Sequence, residues 1–181
     1  ADIARNYCLI ALILILLAIM PLYCYAETPR VQNVEGELRA GLNFPTFGAS
    51  SFFSLAIELR HNIKNTPWDC GITGEIDIMG RDNVDFCCSS NDLYFIAPVC
   101  NYNFKQGTPF NPYVGAALGP ALLCAHDKWS VVFAPRAGVE IASHFRIALQ
   151  YSITQKQYQN FTLTIGLVFG GRPKKPKTAE F

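Results

Sequence analysis

From residue 31 onward the sequence has a period of two, and that feature constrains the fold most. In the first run Val34, Gly36, Leu38, Ala40, Leu42 and Phe44 alternate with Glu35, Glu37, Arg39, Gly41 and Asn43. In the second, Phe53, Leu55, Ile57 and Leu59 alternate with Ser54, Ala56, Glu58 and Arg60. In the third, Trp68, Cys70, Ile72, Gly74, Ile76 and Ile78 alternate with Asp69, Gly71, Thr73, Glu75 and Asp77. Alternation at 180° per residue describes strands with one apolar and one polar face. The runs from Leu93 to Phe104 and from Tyr113 to Cys124 are less clean. Small or apolar residues such as Ala97, Gly115, Ala117 and Gly119 fill their second face. The pattern sharpens again from Phe133 to Ile141, Phe145 to Ile153 and Phe161 to Phe169. Runs of about ten residues suit tilted strands that cross a bilayer. An even number of long antiparallel strands closes into an up-and-down barrel with no unpaired edge. The expected fold is therefore all-β: an eight-stranded antiparallel up-and-down transmembrane β-barrel.

Period alone leaves open which face points inward. A secreted soluble barrel that binds an apolar ligand has an apolar inside, and a membrane barrel reverses this. Three features favour the membrane version. The charges on the polar face form a pairing set, Glu37, Glu58, Glu75, Asp77 and Glu140 against Arg39, Arg60, Arg136 and Arg146, with no lysine in it. A confined network prefers arginine, whose planar fork pairs bidentately with carboxylates. Gly and Ala punctuate the same face, as a narrow, filled lumen requires. Aromatic residues cluster at strand ends: Trp68, Tyr102, Phe104, Phe145 and Phe169 at one rim, and Phe44, Phe53, Tyr94, Trp129, Phe133 and Tyr158 near the other. Two girdles are the expected interfacial anchors.

Half of the 181 residues are hydrophobic and 16% are charged, with a formal charge of +1. That balance excludes a disordered polymer and a polycationic nucleic-acid binder. Part of the apolar surface lies in residues 1–26. Arg5 precedes an apolar run from Cys8 to Met20, Pro21 breaks it, and Cys24-Tyr25-Ala26 forms a small-x-small site. This is the layout of a cleavable signal peptide in a helix; a retained membrane anchor is the alternative. The division is signal peptide 1–26, barrel domain 27–171 and a basic, Pro-rich tail 172–181.

Export puts Cys70, Cys87, Cys88, Cys100 and Cys124 in an oxidising compartment, where an odd number leaves one thiol over. Their spacing is not that of a zinc site, and no cofactor or metal is expected. Antiparallel pairing of the third and fourth runs around residues 80–90 places Cys70 opposite Cys100, close enough for a disulfide. Pairing the fourth and fifth around residues 105–112 places Cys124 opposite residue 93. It then shares a rim with the loop carrying Cys87 and Cys88, and a bridge from Cys124 to either is expected.

Gly41-Leu42-Asn43-Phe44, Tyr94-Phe95-Ile96-Ala97-Pro98 with Tyr102-Asn103-Phe104, and Pro112-Tyr113-Val114-Gly115-Ala116 resemble the outer-membrane β-barrel proteins common in Bacteroidetes. These are the "porin family", or OMP b-brl, domains. The resemblance covers about residues 32–169. Phe161, Leu163, Ile165, Leu167 and Phe169 resemble the C-terminal β-signal read by the barrel-assembly machinery, though here residues 170–181 follow it. The resemblance implies a bacterial outer-membrane location and periplasmic chaperones during biogenesis. It also implies a monomer bound by outer-membrane lipid, with a structural or surface-binding and adhesion role. Eight strands enclose only room for side chains, so no large pore is expected. Some small outer-membrane barrels are lipid A deacylases that use Ser and His, and Ser143-His144 is the adjacent pair here. Neighbours in a strand point to opposite faces, so this pair reads as a polar turn rather than a catalytic dyad.

Overall fold

A computed structural model describes residues 33–46, 52–64, 66–78, 92–123, 128–155 and 158–170. The expected signal peptide, Cys87, Cys88, Cys124 and the basic tail lie outside them. The described residues form eight strands: β1 (Val34–Pro45), β2 (Phe52–Asn62), β3 (Trp68–Asp77), β4 (Leu93–Asn103), β5 (Phe110–Leu123), β6 (Lys128–Ile141), β7 (Phe145–Ser152) and β8 (Asn160–Gly170). Each pairs antiparallel with its sequence neighbours. β1 pairs with β8 from Glu35↔Gly170 to Pro45↔Asn160, which closes the barrel.

One rim holds the start of β1, the end of β8 and the connections 63–67, 104–109 and 142–144. The opposite, upper rim holds the ends of β1, β3, β5 and β7 and the starts of β2, β4, β6 and β8. The tightest turn follows Ile141. His144 N–H donates to the Ile141 carbonyl at 3.2 Å, and Ala142 and Ser143 take φ of 53° and 55°. Both lie in the left-handed region that hairpin turns need and that residues with a Cβ resist.

Burial is inverted relative to a water-soluble protein. Leu38, Ile57, Leu149 and Ile165 stand on the outside, with Ile57 63% exposed, while every described Arg and most carboxylates are buried. In hydrocarbon this is the low-energy arrangement, because apolar side chains outside would meet lipid and most charges inside meet a partner of opposite sign.

Two strands begin earlier than the alternation suggested, β5 at Phe110 and β6 at Lys128 rather than at Tyr113 and Phe133. Asn111 faces inward and Val132 is buried beside outward Val131 and Phe133. Polar-to-apolar contrast fades there while the backbone period continues. The β4–β5 register also needs correction. Leu93 pairs with Leu123, not with Cys124. The expected pairing was one residue out, which would have set an inward residue opposite an outward one. Between Phe95↔Ala121 and Val99↔Ala117 the ladder lapses, where Pro98 and Pro120 bring no N–H.

Candidate functional site

The barrel interior gathers the chemistry of this chain. Among the described residues eight carboxylates are buried (Glu35, Glu37, Glu58, Asp69, Glu75, Asp77, Asp92 and Glu140) with four arginines, none more than 5% exposed. Alternation delivers all but Asp92, which precedes β4: each of the others occupies the inward parity of its strand.

At mid-height lies an ion-pair network. Arg136 on β6 reaches across to Glu58 on β2 with two parallel bonds, Nη1 to Oε2 and Nη2 to Oε1, each 2.6 Å. Arg60 donates to Glu37 at 2.6 Å, Glu58 at 2.9 Å and Glu35 at 3.0 Å. Arg39 lies 3.3 Å from Glu75 and 3.5 Å from Glu58. Arg146 meets Glu140 at 2.9 Å and Glu37 at 3.6 Å. Its guanidinium also sits 4.3 Å from the centre of the Tyr113 ring, a cation–π arrangement. Small residues make the room. A Cβ on Gly138 would stand 2.9 Å from the Tyr113 ring, and one on Gly166 would stand 2.6 Å from the Glu37 carboxylate.

Toward the β1-start rim the interior becomes a chain of amides. Asn101 and Asn103 each donate to Asp69 at 2.6 Å, and Asn111 donates to Asn103 at 3.0 Å. Gln106 donates to Asn62 at 2.8 Å, and Asn62 to Glu35 at 2.8 Å. This layer closes that end with groups that satisfy one another, as buried polar groups must. Toward the upper rim the interior divides. Leu93, Phe95, Ala97, Leu123, Val132 and Tyr158 belong to an apolar cluster on the β4–β6 side. Asn43, Ser54, Asp77, Ser152, Asn160 and Thr162 form a buried polar layer on the other strands.

Of the residues expected in the network, Glu37, Arg39, Glu58, Arg60, Glu75, Arg136, Glu140 and Arg146 are brought together. Asp77 is not, and this corrects the expectation. Asp77 forms no ion pair among the described residues and accepts instead from Asn160 at 3.0 Å. The network takes in Glu35 and Asp69, both readable from parity but passed over. Nor do the charges balance as a pairing set would, since buried carboxylates outnumber buried arginines two to one.

Outside, Trp68, Tyr102 and Phe104 stack edge to face at 5.1 and 5.0 Å, and Phe145 and Phe169 stand on the same rim. Near the other rim Tyr151 stacks on Phe161 at 4.3 Å, with Phe44, Trp129 and Phe133 exposed. Tyr158 is a correction: it is fully buried in the interior cluster rather than anchoring the rim. Phe161, Leu163, Ile165, Leu167 and Phe169 all face outward. Cys70 lies opposite Cys100 and is disulfide-bonded to it on the outer face. The expected bridge from Cys124 to Cys87 or Cys88 falls on residues outside those described. Ser143 and His144 occupy the turn after β6, and His144 Nδ1 meets the Ala142 carbonyl. No group of three or more His, Cys, Asp or Glu among the described residues could hold a metal ion.

No family model and no curated protein sequence matches the chain. Among solved structures it is similar to Neisserial surface protein A, with 19% identity and a TM-score of 0.52, over 76% of this chain and 95% of that one. It is also similar to the N-terminal β-barrel domain of Pseudomonas aeruginosa OprF, with 15% identity and a TM-score of 0.50, over 77% of this chain and 100% of that one. The likeness is one of fold: this chain has the closed eight-stranded antiparallel architecture of small outer-membrane barrels.

Proposed function

We propose that this chain is a monomeric outer-membrane β-barrel of the type common in Bacteroidetes. Its role is structural, or the presentation of its upper-rim loops for binding and adhesion at the cell surface. The observation that carries this is the inversion of its two faces. An apolar outside between two aromatic belts suits lipid, and a charged inside suits nothing a soluble barrel of this size would carry. The longest connection, 78–92, joins strands at the upper rim. Longer loops face the exterior in such barrels, and the short turns face the periplasm. Residues 1–26 direct export, periplasmic chaperones deliver the chain, and the strand ending at Phe169 is read by the barrel-assembly machinery. The filled interior supports a barrel without a large pore, since eight strands leave room only for side chains. The Ser143-His144 turn supports a non-enzymatic role. His144 Nδ1, which a triad carboxylate would orient, is spent on the Ala142 carbonyl.

The test is refolding of the purified chain into detergent and planar bilayers. A detergent-dependent, heat-modifiable band on SDS gels with no stable conductance steps is expected. Solubility without detergent would overturn the membrane assignment, and regular conductance steps would overturn the closed lumen.

A further inference from the structure

We propose that the lower rim, where β1 starts, docks the phosphate headgroups of anionic phospholipid, with Lys64 and Lys105 as cationic arms on either side of the Trp68–Tyr102–Phe104 cluster. The site names the lipid chemistry that one end of the barrel takes, and it rests on the membrane reading above. Of the charged side chains described, only Lys64 and Lys105 are exposed. All the others are buried. Both lysines stand on the lower rim, Lys64 in the connection 63–67 and Lys105 in the connection 104–109. Hydrogen bonds fasten these two turns side by side. Asn103 N–H donates to the Pro67 carbonyl at 2.8 Å, and Gln106 donates to Asn62 at 2.8 Å. Each turn is also closed on itself. Thr66 N–H donates to the Ile63 carbonyl at 3.1 Å, and the Thr108 hydroxyl to the Lys105 carbonyl at 2.7 Å. β3 and β4 run between the two turns, and there the three rings stack on the outer wall.

The carboxylates nearest this rim are engaged inside. Glu35 pairs with Arg60 at 3.0 Å, and Asp69 accepts from Asn101 and Asn103 at 2.6 Å. Charge along the chain is lopsided in the same sense. Beyond Gly170, which ends β8 at this rim, the sequence continues through Arg172, Lys174, Lys175 and Lys177 with one acid, Glu180. The segments that join strands at the upper rim, together with Lys128, carry four aspartates against three Lys or Arg. An anionic partner is therefore drawn to the lower end. The rings decide its kind. Indole and phenol rings lie at headgroup level in a membrane, so lysines on the adjoining turns meet the phosphate layer. Their stems lie along apolar surface while the ammonium groups stay in the polar zone. A soluble polyanion would use the charge and leave the rings without a role. In the reading above this rim is periplasmic, so the ligand is phospholipid of the periplasmic leaflet.

The experiment is quenching of tryptophan fluorescence by phospholipid brominated in its acyl chains, with the whole chain refolded into vesicles. The two tryptophans, Trp68 and Trp129, stand near opposite rims. Trp129→Phe therefore reports on the lower rim and Trp68→Phe on the upper. Both leaflets carry the same lipids, so the direction of insertion does not matter. In phosphatidylcholine vesicles, a minor fraction of brominated phosphatidylglycerol should quench Trp68 more than the same fraction of brominated phosphatidylcholine. Trp129 should show no such excess. Each lysine near an anionic surface changes relative affinity about fivefold. Lys64→Gln with Lys105→Gln should therefore remove the excess, and high salt should weaken it. Both side chains are exposed on turns, so the variant should insert and keep its heat-modifiable band. Equal quenching by the two lipids in the inserted chain would overturn the proposal and leave the barrel reading intact. So would an excess shared by Trp129, or one that survives the double lysine variant. Failure of the chain to insert would overturn the membrane reading and the site with it.

Discussion

Glu58 and Arg136 provide the sharpest test of how the interior is held together, because the two partners are unequal. Glu58 has three cationic neighbours, Arg136 at 2.6 Å, Arg60 at 2.9 Å and Arg39 at 3.5 Å. Glu58 is the only carboxylate that Arg136 reaches within 4.0 Å among the described residues. Its other contact is Asn101, which accepts from Nε at 3.0 Å. Breaking a buried pair typically costs about 3–5 kcal/mol, because the remaining charge is left uncompensated. Arg136→Met leaves Glu58 with two arginines, so its cost sits near the lower end, about 3 kcal/mol. Glu58→Gln keeps the shape but leaves the Arg136 guanidinium with neutral amide oxygens and no carboxylate within 4.0 Å among the described residues, so its cost sits toward about 5 kcal/mol. The double variant should cost less than the two singles together, by roughly 1–3 kcal/mol, as expected for direct contact. The assay is reversible urea unfolding in lipid vesicles, followed by the fluorescence of Trp68 and Trp129, which stand on the outer surface near opposite rims. Equal costs for the two singles, or strict additivity, would mean that solvent rather than Glu58 compensates Arg136.

Two further outcomes follow from the outer face and the turn. Ile165, 62% exposed in the middle of β8, meets lipid in the membrane reading. Ile165→Arg should therefore cost about 2–4 kcal/mol in bilayer unfolding titrations, and unchanged stability would favour a water-soluble barrel. Ala142 and Ser143 hold left-handed backbone angles that cost a residue with a Cβ roughly 1–2 kcal/mol. Ala142→Asn with Ser143→Gly should raise the unfolding midpoint by the equivalent of about 1 kcal/mol or more, and a lowered midpoint would show that the turn adopts another geometry.

The fold was legible because a barrel is written one residue at a time: parity alone sorted Leu38 from Arg39 and Ile57 from Glu58. It failed where parity carries no polarity contrast. Val131, Val132 and Phe133 are apolar on both faces, so the start of β6 was invisible. The β4–β5 register depended on an assumed turn, and one residue of error there misplaced Cys124 against Leu93. Within the interior, residue type showed that acids and arginines share a face, but not which would meet across it. Asp77 looks like Glu75 in sequence. Only closure of the barrel sets Glu75 beside Arg39 and Asp77 beside Asn160. Tyr158 precedes β8 and follows no strand parity, so its inward position could not be read. The amides Asn101, Asn103 and Asn111 alternate with outward Cys100, Tyr102 and Pro112, and the same rule applied to them would have found the closing layer.

The interior also supplies something the strand ladders cannot. Backbone pairing joins each strand only to its neighbours, and alone it tolerates a range of flattened or round cross-sections. The interior bonds skip neighbours. Arg136 ties β6 to β2, Gln150 ties β7 to β3, Asn160 ties β8 to β3 and Arg39 ties β1 to β3. Each must keep its length near 3 Å to count, because hydrogen bonds weaken steeply beyond that range. Deforming the cross-section stretches several at once, and each charged one is worth roughly 1.5–3 kcal/mol. Most of these ties converge on β2 and β3, and β3 leads into the longest connection, 78–92. The Cys70–Cys100 disulfide joins β3 to β4 on the outer face as well. The best-anchored part of the wall thus includes the two strand ends that the longest connection joins, that of β3 among them, which is where the proposed loop-presenting role would need a fixed base.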